Sequence, residues 1–524
     1  MPRVSLILRG AVAGAVAAVA LAMPATAMGL ETIVQDDALL LQSVDPGPVV
    51  QQIASLGVDR VRMTVGWAQV APSPNSRKRP AGFNAADPTA YAPRGRYFKS
   101  PIGLVDRAVI VAAQAGLKVD LVLGLGAPRW AAAGAGRGER VGAVVRPSPR
   151  EFAAFARAIA QRYSGNAVTP LFDVNIPRVD MFEIWNEPNV PVFAQPQFAG
   201  GQAVAADWYR SLVQAAYPAI KRANPRSTVL IGSTAATGFR KGGSTSPVGP
   251  LAFVRRLACV DQRLRPIRTG GCRKFRRVPG DGYSHHPYVL KAPPRTVSTN
   301  PEDVRIATLS RLTNLIDRLA SRGRVSRGLT NVWLTEFGYE TNEPVRSKPW
   351  SLKQQARFLA EAEYIAARDR HVRSYSQFLL RDIGTGAALR AARRGQRARP
   401  LGSWQTGLFF EDGQPKPSAE SFRLTLLPFL GGGKDVVSFY GHVRPARSWV
   451  TVRIEQQLGD GSWQPIATSP AGGGAGEQQF STAGDGTFLR RITGPGLADG
   501  VFRLVWIKPG GSADAGPGQP AGSL

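Results

Sequence analysis

The sequence predicts an α/β protein, a (β/α)8 TIM barrel followed by a small C-terminal antiparallel β-sandwich. Two stretches carry the clearest signal, Val179–Asn189 and Asn331–Thr341, because each is a short apolar run that ends abruptly in polar residues, as a buried strand does. Similar apolar runs alternate with segments of helical period, which is the pattern of a parallel sheet covered by helices. The 524 residues leave room for one barrel of about 250 to 400 residues and a smaller second domain.

The barrel is expected to occupy residues 28–430, with its eight strands following one another along the chain. The predicted strands are Leu39–Gln42, Val58–Trp67, Leu117–Leu125, Val179–Asn189, Thr228–Ser233, Gly282–Val289, Asn331–Thr341 and Val372–Leu380. Amphipathic helices are expected between the strands, and the clearest of them is Pro149–Tyr163, for which Ser148 is a suitable N-cap.

The periodicity changes to strict alternation from Lys434 onward. Short alternating segments separated by Gly and Asp turns predict the β-sandwich at residues 431–509. Its aromatic residues are expected in the core, with carbohydrate binding as the alternative; they are Tyr440, Trp449, Trp463 and Trp506. Residues 510–524 are rich in Gly, Pro, Ser and Ala, and they are expected to form a disordered tail.

Residues 1–27 have the features of a secretory signal peptide. Arg3 and Arg9 precede the apolar segment Ala11–Met23, and Ala25–Ala27 provides an A-x-A cleavage site. The apolar segment is short for a membrane span, although an uncleaved anchor is the alternative. We therefore expect a secreted, extracellular protein that is monomeric and has no stable membrane insertion.

Cys259 and Cys272 are the only cysteines of the chain. In an exported protein two nearby cysteines most often form a disulfide, and a metal site would need more ligands than this segment offers. The net charge is +29, from 66 Lys and Arg against 37 Asp and Glu. Most basic residues are scattered, which favours a solvated surface, although an anionic partner is the alternative. No nucleic-acid-binding motif accompanies the charge, so nucleic acid is not expected as a partner.

Two glutamates stand at the ends of predicted strands. Glu187 ends the fourth strand and Glu336 ends the seventh, so both should lie at the C-terminal rim of the barrel, where active sites of this fold sit. Two rim carboxylates on separate strands are the minimum equipment for hydrolysing a glycosidic bond. Glu183 and Trp185 are expected to share the face of Glu187, with Glu183 deeper in the barrel. The alternative is that the strand-end glutamates only cap or pair locally.

The segments WNEPN (185–189) and WLTEFG (333–338) resemble the acid/base and nucleophile strands of the clan A glycoside hydrolases, which are retaining (β/α)8-barrel enzymes. The similarity is greatest to the cellulase-like and family 39-like members, and it covers roughly residues 30–425. The resemblance implies that Glu187 is the acid/base and that Glu336 is the nucleophile. The departure from the family lies on the eighth strand, where Gln377 and Phe378 replace an expected tryptophan.

The same resemblance implies roles for several further residues. Arg62, whose charge in mid-strand would be costly if unpaired, is expected to bind the nucleophile, although it could instead point outward and be paired there. Asn186 would hydrogen-bond the sugar 2-hydroxyl, Tyr288 would hold the nucleophile, and His286 would contact the substrate. His285 should point to the opposite face from His286, so no metal site is expected.

Three tryptophans are also expected to support the site or bind the substrate. Trp130 ends the GAPRW segment, which is similar to the third-strand end of family 39-like enzymes, and it could stack on a sugar or pack locally. Trp67 ends the second strand. Trp404, which follows the eighth strand, could replace the missing tryptophan.

We therefore predict a secreted retaining glycoside hydrolase that cleaves O-glycosidic bonds, expected to be β, in an oligo- or polysaccharide and needs no cofactor. One alternative is an endo-acting hydrolase of an acidic or cell-envelope polysaccharide. The alternative from another class is a catalytically silent carbohydrate-binding barrel, because a fold by itself does not establish a function.

Overall fold

A computed structural model describes residues 29–43, 45–92, 97–134, 142–168, 175–387, 389, 403–431 and 435–523. The predicted signal peptide, residues 1–27, lies outside these residues. Within the part of the chain that the structure describes, no helix combines the length and the apolar character that crossing a membrane requires.

Eight parallel strands form the first domain. The strands are β1 (Glu31–Gln35), β2 (Arg60–Gly66), β3 (Lys118–Gly124), β4 (Met181–Ile184), β5 (Thr228–Ala235), β6 (Gly282–His286), β7 (Val332–Leu334) and β8 (Val372–Phe378). The helices that follow them are α1 (Gly47–Ser55), α2 (Pro101–Gln114), α3 (Pro149–Arg162), α4 (Val204–Ala223), α5 (Pro250–Leu257), α6 (Leu309–Ser321), α7 (Leu352–Ala367) and α8 (Pro417–Arg423). The strands close in the order β1-β8-β7-β6-β5-β4-β3-β2, which confirms the predicted (β/α)8 barrel.

The first strand is not where the sequence analysis placed it. The leucines of Leu39–Gln42 belong to a short helix, Asp37–Leu41, because the Asp36 carboxylate accepts the Leu39 N–H at 3.1 Å and caps the turn. The strand is instead Glu31–Gln35, which pairs with both β2 and β8. Its β-branched residues suit an extended backbone.

The second domain is a sandwich of two antiparallel sheets. Its main strands are β9 (Leu424–Leu430), β10 (Val436–Val443), β11 (Thr451–Gln457), β12 (Trp463–Ile466), β13 (Thr487–Thr493) and β14 (Val501–Ile507). One sheet contains β13, β10 and β9, and the other contains β12, β11 and β14. Phe439 from the first sheet packs with Ile454 and Phe502 from the second in a shared core.

The sandwich begins at Leu424 rather than at residue 431. The β9 strand pairs along its whole length with β10, so it belongs to the second domain. Its run LTLLPFL lacks alternation because both faces are buried. One face contributes to the sandwich core, while Leu427 and Phe429 pack against Tyr364 of α7.

The segment predicted as a disordered tail is paired in the structure. Ala513–Ala515 and Gln519–Pro520 pair with β14, and Gly522–Ser523 pairs with β9. The prediction is wrong because backbone groups at a sheet edge can recruit a strand without any apolar pattern in the recruited segment.

The sandwich aromatics divide between core and surface. Tyr440 is buried, as expected. Trp463 and Trp506 are partly buried, and each ring lies under a cation, with Arg503 Cζ 4.3 Å and Lys508 Nζ 5.5 Å from the respective ring centroids. Trp449 is 66% exposed, so the core prediction is wrong for that residue.

A buried carboxylate joins the two domains. Glu363 of α7 accepts the Tyr440 hydroxyl at 3.1 Å, and the same oxygen lies 2.6 Å from His442 Nδ1 and 2.5 Å from Arg444 Nη2. Burial alone would raise the pKa of Glu363, but the charges of Arg444 and His442 outweigh burial and lower it from 4.5 to about 2. The ionised carboxylate therefore stabilises the contact between barrel and sandwich.

Glu363→Gln is expected to lower the free energy of unfolding at pH 7 by about 3 kcal/mol, because Arg444 would lose its buried counter-charge. The deficit should shrink as the pH falls below 4.5, since a depressed folded-state pKa stabilises only while the carboxyl is ionised. Urea unfolding at pH 7 and pH 4 would measure both effects. The control is Glu361→Gln on the same helix, whose partner Arg295 belongs to the barrel. Equal losses in the two variants would contradict the interdomain role.

Candidate active site

Arg62 stands at the centre of a buried network inside the barrel. Its guanidinium donates to Glu183 Oε1 at 2.6 Å, to Glu336 Oε1 at 2.6 Å and to Asn186 Oδ1 at 3.0 Å. It also donates to Gln35, which lies beside it in the register of β1 and β2. Burial opposes the charge, but Glu183 and Glu336 raise the pKa of Arg62 above its ordinary value, so it stays charged. Arg62 therefore points inward and contacts Glu336, as the sequence predicted.

Beneath Arg62, two buried carboxyl groups share the interior of the barrel. Burial and the negative charge of Glu183 raise the pKa of Asp120 well above its ordinary value. Both Asp120 oxygens lack a donor among the described residues, so Asp120 can bond to Glu183 only by carrying the proton itself. Burial would also raise the pKa of Glu183, but Arg62 and the Asp120 hydrogen bond lower it to about 2. Glu183 is thus a buried counter-charge for Arg62.

The backbone changes direction where β4 ends. The strand stops at Ile184, and Trp185 and Glu187 both adopt positive φ, +68° and +39°. These left-handed conformations break the alternation, so the prediction that Glu183, Trp185 and Glu187 share one face is wrong. Glu183 points into the barrel, whereas Trp185 is buried against Trp208 of α4, with ring centroids 5.3 Å apart. The turn leaves Glu187 at the mouth of the barrel.

Glu187 and Glu336 converge on either side of His286. One oxygen of each glutamate and a ring nitrogen of His286 all lie within 4.8 Å of one another. His286 Nδ1 is 2.9 Å from Glu187 Oε1 and 3.7 Å from Glu336 Oε2, and its Nε2 is 3.2 Å from Thr335 Oγ1. His286 is fully buried, so it contacts the two carboxylates rather than the cavity. Carboxylates and imidazole are also zinc-binding donors, so these three groups could hold a cation, although the sequence predicted none.

Tyr288 completes the surroundings of Glu336. Its hydroxyl donates to Glu336 Oε2 at 3.3 Å, while Arg62 holds Oε1. Burial and the adjacent Glu336 charge raise the pKa of Tyr288 well above its ordinary value, so the phenol stays protonated. Both oxygens of Glu336 are therefore held by donors, which fixes the direction of the carboxylate.

These groups open into a cavity of about 800 Å³ at the barrel mouth. Asn186, Glu187, Tyr288 and Glu336 all line it. Its remaining lining residues are Gln35, Asp37, Ala38, Gln42, Thr64, Leu125, Phe193, Ala235, Ala236, Thr237, Val289, Leu290, Lys291, Ala292, Arg305, Phe378, Leu379, Ile383 and Trp404. The volume is that of a site for a small ligand.

Only one of the three predicted tryptophans lines this cavity. Trp404 does so, packing edge-on against Phe378 with ring centroids 5.9 Å apart. Trp67 is fully buried and stacks on Phe155 at 5.6 Å, so it can support the barrel wall but not touch a substrate. Trp130 packs against Trp67 and donates its indole N–H to the Pro72 carbonyl, which is the local packing that the sequence left open.

The sequence analysis did not identify several residues of the site. Asp120 could have been found by the argument used for Arg62, since it is also a charge within an apolar strand. Gln35 and Asp37 were missed because the first strand was misplaced. Asp37 accepts the Thr64 N–H at 3.0 Å, and its carboxylate lines the cavity. Thr335 precedes the nucleophile candidate, and no sequence signal distinguished it.

Cys259 and Cys272 form the predicted disulfide, with Cα atoms 5.6 Å apart.

No protein family model matches the chain, and no curated protein matches it either.

Several solved structures resemble the protein. A monomeric β-xylosidase from Caulobacter crescentus CB15 superposes with a TM-score of 0.46 at 13% identity, over 89% of this chain and 96% of that protein. A glucosidase from Croceicoccus marinus superposes with a TM-score of 0.44 at 12% identity, over 89% of this chain and 96% of that protein. An endo-1,4-β-D-mannanase from Thermotoga petrophila RKU-1 superposes with a TM-score of 0.41 at 14% identity, over 75% of this chain and 98% of that protein. The strand order of the closed barrel establishes the fold independently of these TM-scores.

Proposed function

We propose that this protein is a retaining glycoside hydrolase that cleaves β-glycosidic bonds. The observation that carries the proposal is the convergence of Glu187 and Glu336, from the ends of β4 and β7, with an oxygen of each within 4.8 Å of the other. The two carboxyl groups of retaining enzymes lie about 5–5.5 Å apart, whereas those of inverting enzymes lie about 6.5–9.5 Å apart. The short separation favours the retaining mechanism.

In the first step Glu336 attacks the anomeric carbon, the glycosidic C–O bond breaks, and Glu187 gives its proton to the leaving oxygen. In the second step Glu187 removes a proton from water, which attacks the same carbon and releases the Glu336 carboxylate. Arg62 and Tyr288 favour Glu336 as the nucleophile because they hold its two oxygens. Asn186 lines the cavity beside them, in a position suited to a sugar hydroxyl.

We also propose that the protein is exported and acts on an oligo- or polysaccharide. The composition of residues 1–27 supports export, and the Cys259–Cys272 disulfide is consistent with an oxidising compartment.

The test is hydrolysis of a panel of aryl β-glycosides and β-glucans, with the anomeric configuration of the first product followed by NMR. We expect turnover with retention, and none from the double variant Glu187→Gln/Glu336→Gln. Inversion would overturn the mechanism. A folded wild type that binds these sugars without any turnover would favour the silent carbohydrate-binding barrel.

A further inference from the structure

Besides Glu187 and Glu336, three charged residues line the cavity, and they lie on two walls. Asp37 lies on the wall formed by β1, β2 and the β8 loop, near Phe378 and Trp404. The opposite wall, formed by the loops after β5 and β6, has Lys291 and Arg305 as its charged residues among those that line the cavity. The two walls therefore present opposite charges to a ligand.

Neither cation donates a side-chain hydrogen bond to a carboxylate among the described residues, although Arg305 has one long ion pair. Lys291 is exposed, and its ammonium has no hydrogen-bond or ion-pair partner among the residues described. Arg305 has one neighbouring carboxylate, Asp303 Oδ2, at 3.7 Å, which is a long ion pair. This distance is beyond hydrogen-bond range, whereas Ser298 and Asn300 donate to Asp303 at 2.7 and 2.9 Å, so the guanidinium N–H groups of Arg305 can still donate to a ligand.

The backbone on each side of both cations is fixed. Trp350 donates its indole N–H to the Leu290 carbonyl at 3.1 Å, and the Tyr339 hydroxyl donates to the Ala292 carbonyl at 3.2 Å, so Lys291 lies between two anchored residues. Arg305 is held in the same way, since the N–H groups of its neighbours 304 and 306 bond to the carbonyls of residues 236 and 287 at 2.9 and 3.1 Å. The backbone of this wall is therefore already ordered, and the entropy cost of binding a ligand falls on the two side chains.

This wall lies between the two glutamates, because β5 and β6 separate β4 from β7, and it contacts Glu187 as well as Glu336. Glu187 is hydrogen-bonded to His286 of β6, and its N–H donates to the Ser233 carbonyl of β5. Because the acid protonates the leaving oxygen, the leaving group must lie on the side of the scissile bond that faces Glu187. On the proposed function, a leaving group that extends from Glu187 along this wall comes to Lys291 and Arg305, which line the same cavity.

We propose that the β5–β6 wall is an anion subsite, and that the substrate carries a carboxylate or sulfate on its leaving-group moiety. This inference rests on the proposed function for the direction of the substrate. Arg305 can bind such a group through two parallel N–H donors, and Lys291 supplies a second charge. The Asp37 wall, in contrast, suits the hydroxyl donors of an uncharged sugar.

The test uses β-glucosides and β-xylosides of 3-carboxyphenol, 3-sulfophenol and the uncharged 3-carbamoylphenol. Wild type is expected to have a higher kcat/KM for the anionic compounds than for the uncharged one. The ratio of these two kcat/KM values should fall about fivefold in Lys291→Ala. It should fall further in Lys291→Glu and in Arg305→Gln, and 0.5 M NaCl should reduce the wild-type ratio. The matched control is Lys274→Glu, an exposed lysine in the 259–280 loop that does not line the cavity. The carboxylate arm and the sulfonate arm, in which the sulfonate stands in for a sulfate ester, identify the preferred anion.

A second readout separates the inference from the proposed function. The same compounds are titrated calorimetrically into the Glu187→Gln/Glu336→Gln variant, in which no chemistry can occur. Tighter binding of the anionic compounds that is lost when Lys291→Glu is added supports the anion subsite, even if the wild type hydrolyses none of them. A wild type without hydrolysis would overturn only the enzyme assignment. Equal kcat/KM and equal Kd for charged and uncharged members would overturn the anion subsite and leave the glycosidase assignment in place.

Discussion

Glu336→Ala is expected to lower kcat on aryl β-glycosides by about 10⁵-fold. On the proposed function Glu336 is the group that attacks the anomeric carbon, and its loss can leave Glu187 and His286 where they are. Sodium azide should restore turnover, because a small anion can enter the space that the carboxylate leaves. The glycosyl azide formed should have inverted configuration, since azide attacks from the side of the missing nucleophile. Product NMR and initial rates measure both effects.

The matched control is Glu343→Ala. Glu343 follows the same strand by a few residues, is exposed and does not line the active-site cavity, so its loss should leave kcat within about twofold of wild type. Activity above about 1% of wild type in a folded Glu336→Ala protein would remove Glu336 from the role of nucleophile. Azide rescue in Glu343→Ala alone would move that role to the loop.

The parts of the site that the sequence revealed are those where a charge interrupts an apolar strand. Arg62 was singled out because an unpaired guanidinium in a strand interior is costly, and its contact with Glu336 was implied by the resemblance to the clan A glycoside hydrolases. Glu187 and Glu336 were identified because they end apolar runs. The barrel followed from the same alternation of buried runs and amphipathic helices, since each strand of a parallel sheet is buried on both faces.

The features of the fold and the site that the sequence did not reveal depend on tertiary contacts that no local sequence pattern encodes. Because Asp36 caps a helical turn, the leucines of Leu39–Gln42 are helical rather than extended. The sequence analysis therefore misplaced the first strand and did not identify Asp37 as a residue of the site. Trp185 has positive φ and packs against Trp208 of α4, so strand periodicity assigned its side chain to the wrong face. The positions of Lys291 and Arg305 depend on how the loops after β5 and β6 fold against each other, which a single sequence does not specify.

Arg62→Met is expected to lower both stability and activity. The guanidinium is fully buried and bonded to Glu183 and Glu336, so its loss leaves buried carboxylates without a counter-charge and should cost about 3–5 kcal/mol of unfolding free energy. Glu336 would also lose the donor on Oε1, and kcat should fall by about 10²–10³-fold. Urea unfolding measures the first effect, and kcat at a temperature where the variant is folded measures the second.

Arg60→Met separates the two effects, because Arg60 lies two residues earlier on β2 and is equally enclosed. Its partners are Glu31 at 2.9 Å and Asp180 at 2.7 Å, at the end of the barrel away from the cavity. Arg60→Met should therefore lose stability while the folded protein keeps its kcat. If Arg62→Met keeps kcat as well, Arg62 serves the barrel alone, and the orientation of Glu336 must come from Tyr288. If both variants lose kcat in parallel, the loss reflects general loosening of the barrel rather than the bond from Arg62 to the nucleophile.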